Sequence, residues 1–182
     1  RMEKMFQPAT IDGGGFHGVR NGLGSTEQKF YTKMSAPNIQ TDTPMNWLLA
    51  SEVAFLKAEY KLMTGDAAGA KSDYEEGIRL SFLENGLSTS EADQYAASEK
   101  VPGRFNDVSE NPTKYTASAL GRVTVKWKDD GNELERIITQ KWIALFPNGM
   151  EAWAEFRRTG FPRLFPIVAN SEDPSIDKNI QI

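Results

Sequence analysis

The chain contains no cysteine. That excludes disulfide bridges, thiolate metal sites and a thiol nucleophile. It contains one histidine, His17, so a metal site built on imidazoles has no second ligand of that type. Basic residues are not in excess: the 182 residues carry a formal net charge of −4, which disfavours nucleic acid as a partner. No apolar run approaches the ~20 residues needed to span a bilayer.

Several motifs are also missing. No G-x-x-x-x-G-K-[ST] or G-x-G-x-x-G is present, so Gly13-Gly14-Gly15 reads as a flexible turn and not as a phosphate loop. A Ser-His-Asp arrangement would need His17, and no strand-elbow-helix pattern surrounds Gly24-Ser25. Glycosidases need only two carboxylates at a suitable separation, and among 25 Asp and Glu some pair always fits. The acidic pairs Asp129-Asp130 and Glu75-Glu76 are adjacent in sequence and read as solvated surface, with no EF-hand spacing. No metal or cofactor is expected, and on the residues alone an enzyme, most plausibly a glycosidase, stays open as a third reading.

What is present is globular composition, 39% hydrophobic and 25% charged. A chain of this length buries about 70% of its unfolded surface when it folds alone. Residues 1–43 show no periodicity and are punctuated by glycine, so a loop-rich segment is expected. Thr43 and Pro44 are a cap and first-turn pair, predicting a helix over 44–64. On it Leu49, Val53, Leu56, Tyr60 and Met63 form an apolar stripe, and Ala50, Ala54 and Ala58 a small-residue face. Gly65 stops that helix and Asp66 caps the next, 67–84, where Ala70, Tyr74, Ile78 and Phe82 recur every fourth residue. The two make an antiparallel hairpin of tetratricopeptide type, with no second copy at a fixed period.

Downstream, Ser88-Thr-Ser-Glu91 is a capping box opening a helix to about Lys100. Residues 122–127 alternate as a short strand would. Asn132 caps a helix whose stripe is Leu134, Ile137, Ile138, Trp142 and Leu145, interrupted by Lys141. After Pro147-Asn-Gly149 a last helix covers 150–159, ended by Gly160 and Pro162, and 161–182 reads as extended chain. Trp153 and Phe156 are placed to face Trp142 and Leu145 across the break, so this aromatic-rich stretch is expected to pack as a corner. Arg157 is spaced to stack on Trp153 or meet a carboxylate, and Glu155 to pair with Arg158.

That stretch, RIITQKWIALFPNGMEAWAEFRRTGFPRL (136–164), resembles the C-terminal signature of the SusD/RagB family, surface lipoproteins of the bacterial outer membrane that help import glycans. The segment MNWLLASEVAFLKAEYKLMTGDAAGAKSDYEEGIRLSF (45–82) resembles the helical hairpin that this family places upstream. The two segments cover about a third of the chain, and such a likeness speaks for a fold more than for a function.

The resemblance implies a mostly α fold: a tetratricopeptide-like hairpin plus an irregular, loop-rich C-terminal region. The chain would be the C-terminal part of a single SusD-like domain: a loop-rich segment (1–43), the hairpin (44–85), and C-terminal helices and loops (86–182). The family's lipid-bearing cysteine and most of its repeat scaffold have no counterpart within it. Implied partners are an oligosaccharide or polysaccharide and a TonB-dependent, SusC-like transporter that the protein covers as a lid, with membrane attachment through a lipid anchor outside this chain. No activity on the ligand is implied.

A sugar site needs rings for apolar sugar faces and planar polar groups for hydroxyls. Phe16, His17, Arg20 and Asn21, followed by Phe30-Tyr31, have that mix, so Phe16, His17, Arg20, Asn21 and Tyr31 are the candidate ligand contacts. The bland alternative is that Phe16 and Phe30 pin the loop and Arg20 makes a structural ion pair. A weaker candidate is Tyr95 with Phe105. The competing functional reading is a helical module that binds protein and no glycan, motivated by the hairpin's small-residue faces.

Overall fold

The computed structural model describes residues 1–22 and 28–167. Among them are the helices α1 (Met2–Met5), α2 (Ala50–Met63), α3 (Ala67–Glu84), α4 (Thr89–Ala96), α5 (Glu133–Ala144) and α6 (Gly149–Thr159), a 3-10 turn at Gln28–Phe30, and no strand. The mostly α expectation therefore holds. The chain forms two compact units: one of Arg1, 41–102 and 121–163, the other within 2–40, 103–120 and 164–182.

The first unit is organised by the hairpin. Gly65 takes a left-handed φ of 84° between the helices. The Asp66 carboxylate then accepts the Gly69 N–H at 2.8 Å, capping α3 as expected. Tyr74, Ile78 and Phe82 of α3 join Phe55 and Ala58 of α2 in a core completed by Trp127, Ile137 and Ile138. The Tyr74 ring packs 6.2 Å from Phe55 and 5.3 Å from Trp127, and its hydroxyl donates to the Val125 carbonyl at 2.5 Å. Burial raises the Tyr74 pKa, consistent with a phenol that stays protonated.

Two features of α2 differ from expectation. It begins at Ala50, six residues after Pro44, and residues 41–48 are exposed. Its first turn is capped from a distance: the Glu84 carboxylate accepts the Ser51 N–H at 2.9 Å and the Ser51 hydroxyl at 2.6 Å. A tertiary carboxylate outcompetes the local Thr43 cap. Second, the buried face takes Ala54 and Ala58 of the small-residue face together with Phe55, while Ala50 is exposed. Val53, Leu56, Tyr60 and Met63 are 41%, 42%, 67% and 79% exposed. Close approach decides this: a Cβ on Gly77 of α3 would lie 2.7 Å from the Phe55 ring, so small residues must line the joint.

The Ser88–Glu91 capping box forms, but α4 ends at Ala96, not near Lys100. There the chain turns extended, because the Ser98 and Lys100 carbonyls accept the N–H groups of Lys126 and Val125 at 2.9 and 3.1 Å. Residues 122–127 alternate as expected, burying Val123, Val125 and Trp127, without a strand ladder. At α5, Asn132 holds the N-cap position but its side chain caps nothing; Glu133 instead accepts the N–H groups of Asp130 and Gly131. Arg136, almost fully buried, forks onto Asp130 at 3.0 and 2.6 Å.

Lys141 does not interrupt the α5 stripe; it is fully buried, and Trp142 is the 36% exposed residue. The Lys141 ammonium lies 3.0 Å from Glu155 of α6, outside hydrogen-bonding geometry, so the attraction is Coulombic. Glu155 pairs with Arg158 at 2.7 Å, as its spacing predicted, and Arg158 forks onto Glu59 of α2 at 2.6 and 2.7 Å. This neutral chain of four charges ties three helices together. Burial works to raise the Glu155 carboxyl, but Arg158 and Lys141 outweigh it and leave its pKa lowered. Neighbouring Glu52 shows the opposite balance: burial raises it despite Lys141.

The signs differ accordingly. Glu155, with its depressed pKa, contributes stability that is complete above its unfolded value of about 4.5 and lost as pH falls through the folded value. Glu52 favours folding below its unfolded value and loses that contribution as pH rises. We expect Glu155→Gln to cost about 3–5 kcal/mol in urea unfolding at pH 7, since it strands the buried Lys141 charge. The penalty should shrink below pH 4; a penalty independent of pH would contradict the pairing.

Candidate functional site

All five candidate ligand residues lie in the second unit. Their loop is built on glycine: Gly13, Gly14 and Gly15 take φ of 95°, 59° and 86°, a left-handed run that side chains resist. The run folds back so that the Gly15 carbonyl accepts the Ala9 N–H at 2.7 Å. His17 Nε2 donates to the Gly14 carbonyl at 2.9 Å, since a carbonyl only accepts. The His17 N–H donates to the Ser35 hydroxyl and the Ser35 N–H to the His17 carbonyl, each at 3.0 Å. This stitch holds the 13–22 loop to the segment carrying Tyr31.

Phe16, His17 and Tyr31 are half-buried and Asn21 is exposed. The Tyr31 ring meets Phe30 edge-on, 6.4 Å between centroids. Its hydroxyl oxygen accepts from Asn111 Nδ2 at 2.8 Å, which leaves the phenolic proton available to donate elsewhere.

Arg20 is committed to its surroundings. Its guanidinium donates to the carbonyls of Tyr115 at 3.3 Å and Pro166 at 2.7 Å, and lies 5.9 and 5.0 Å from the Phe105 and Phe165 rings. Burial pushes its pKa down. Among the described residues its partners are carbonyls and rings, and no carboxylate there makes the ion pair considered for it. Of the weaker candidate pair, Tyr95 packs with Phe82 and under Arg1 in the first unit, and Phe105 packs with Phe165 in the second.

The supporting residues missed by sequence reasoning lie in 104–121. Asp107 accepts the N–H and hydroxyl of Ser109 and the N–H of Tyr115, and Asn111 accepts the N–H of Thr113. Burial works to raise the Asp107 carboxyl, but those bonds outweigh it and its pKa is lowered. The spacings Asp-x-Ser and Asn-x-Thr were a readable signal for two such turns. Among the described residues no group of three or more His, Asp or Glu is placed to hold a metal, and no helix is long and apolar enough to cross a membrane.

The aromatic corner is mixed. Leu145 and Ala152 are buried, while Trp142 and Trp153 are about one-third exposed. Trp153 stacks on Phe156, 5.8 Å between centroids, Arg157 is exposed, and it is Arg158 that pairs. The expected packing of both tryptophans across the break is thus only partial, because the buried Lys141–Glu155 pair takes the centre of the joint.

Arg20→Met should destabilise the second unit by about 2–3 kcal/mol, the worth of charged hydrogen bonds to its two carbonyls. Limited proteolysis within 103–120 reads this; unchanged resistance would contradict the pin.

The comparisons with known proteins agree with this architecture. The model of the SusD-like family, described as Susd and RagB outer membrane lipoprotein, matches residues 1–182. No curated protein sequence matches. A SusD homolog from Bacteroides thetaiotaomicron VPI-5482 is 40% identical, with TM-score 0.83 over 93% of this chain and 37% of that one. A homolog from Bacteroides vulgatus ATCC 8482 is 36% identical, with TM-score 0.85 over 98% of this chain and 38% of that one. A chitin-binding SusD homolog from Flavobacterium johnsoniae is 31% identical, with TM-score 0.73 over 91% of this chain and 35% of that one. The chain thus spans little more than a third of the length of these relatives. It belongs to the SusD-like family of outer-membrane lipoproteins.

Proposed function

We propose that the protein captures a glycan at the bacterial cell surface, as the lid of a TonB-dependent, SusC-like transporter, and performs no chemistry on it. The observation that carries this reading is the match to the SusD-like family along residues 1–182, with a chitin-binding homolog among its structural relatives. The chain is read as the C-terminal part of a single SusD-like domain.

Within the chain we assign ligand contact to Phe16, His17, Asn21 and Tyr31. Two rings, an imidazole, an amide and a phenolic hydroxyl supply the flat apolar and planar polar surfaces that a sugar needs. Arg20 belongs to this site as its support: its donors face carbonyls, and its role is to hold Asn21 in place.

Affinity electrophoresis of the full protein against plant, host and microbial polysaccharides tests this. We expect retardation by one glycan, lost on Tyr31→Ala or Phe16→Ala in folded protein, and no release of reducing sugar. Retardation by none would overturn glycan capture; retardation surviving both changes would move the site elsewhere.

A further inference from the structure

Three Asn-Gly pairs occur in the chain: Asn21-Gly22, Asn85-Gly86 and Asn148-Gly149. The pair is chemically labile, because glycine has no Cβ to shield its amide nitrogen from the asparagine before it. When that nitrogen attacks Asn Cγ, a new C–N bond forms and the bond from Cγ to Nδ2 breaks. The proton of the glycine N–H leaves with Nδ2 as ammonia. Water then opens the cyclic succinimide at either carbonyl, giving aspartate or isoaspartate.

The fold treats the three pairs differently. Asn85 ends α3: its Nδ2 donates to the Ser81 carbonyl at 2.7 Å, and the Gly86 N–H donates to the Leu83 carbonyl at 2.9 Å. Asn148 caps α6: its Oδ1 accepts the Glu151 N–H at 3.3 Å, and the Gly149 N–H donates to the Pro147 carbonyl at 2.8 Å. In both, the amide to be attacked and the attacking nitrogen are held in separate hydrogen bonds, and both asparagines are half-buried. Ring closure there has to break a helix terminus.

Asn21 has neither restraint. Its side chain is exposed, and among the described residues neither its amide nor the Gly22 N–H has a hydrogen-bond partner. Gly22 takes a left-handed φ of 71°, so the turn favours the one residue type that leaves the nitrogen unshielded.

We propose that Asn21-Gly22 is a site of spontaneous deamidation in the native protein, which converts a neutral amide of the 13–22 loop into a carboxylate. Aspartate brings a negative charge and removes the amide donors. Isoaspartate also routes the main chain through an extra methylene. Because Asn21 is assigned to ligand contact, the modified protein holds its glycan less well. That consequence rests on the function proposed above; the modification does not.

The test incubates the full protein in neutral buffer, folded and in urea, and follows all three pairs by peptide mapping and mass spectrometry. We expect Asn21 to convert at least about tenfold faster than Asn85 or Asn148 in folded protein, and the three rates to converge in urea, where no helix terminus protects them. Equal rates in folded protein would overturn the proposal. So would a difference that persists in urea, since flanking sequence would then set it. Affinity electrophoresis of incubated protein, beside fresh protein and Asn21→Asp, reads the consequence. Affinity for the retarding glycan should fall about three- to tenfold, the worth of a lost hydrogen-bond donor. Undiminished retardation would overturn the effect on capture. Retardation of fresh protein by no glycan would overturn glycan capture itself and leave the deamidation rates to stand or fall alone.

Discussion

A fully buried lysine constrains the first unit. Lys141 has no water to solvate it, so α6 must be placed where Glu155 neutralises it, and α2 where Glu59 balances Arg158. A hydrophobic contact tolerates sliding; a buried charge chain does not, because any displacement strands an ion in low dielectric. The corner after Phe146 is therefore held by electrostatics as well as by packing. That explains why Trp142 and Trp153, the largest side chains of the segment, are left near the surface while Lys141 takes the interior.

The second unit works on a different principle. Its described residues have little regular structure beyond a one-turn helix, a 3-10 turn and two isolated bridges. Its order comes from local turns at Asp107 and Asn111, the glycine run at 13–15, and Arg20 clasping carbonyls and rings. Irregular backbone pinned by side chains can present aromatic and amide groups without committing them to a core. This division between helical scaffold and loop-borne groups suits a binding protein.

Legibility in the sequence followed the range of the interaction. Local signals were read correctly: the Asp66 cap, the Ser88–Glu91 box, the left-handed Gly160 and the four-residue period of α3 all depend on neighbours in the chain. Long-range effects were not. The start of α2 depends on Glu84, 33 residues away; its buried face depends on Gly77; the burial of Lys141 depends on Glu155. Hydrophobicity ranked the Leu56–Tyr60 stripe above the alanine face, and steric fit reversed that order. For the candidate site, Tyr31 and His17 were legible as residue types, whereas the engagement of Arg20 by Tyr115 and Pro166 required the folded chain.

We propose that recognition belongs to the loops of the second unit and not to the aromatic corner of the first. Hydrogen–deuterium exchange of the full protein, with and without the polysaccharide that retards it, tests this most directly. The account predicts added protection confined to 13–22 and 28–35, with 137–156 unchanged. Protection centred on Trp142 and Trp153, with the loops unaffected, would contradict it.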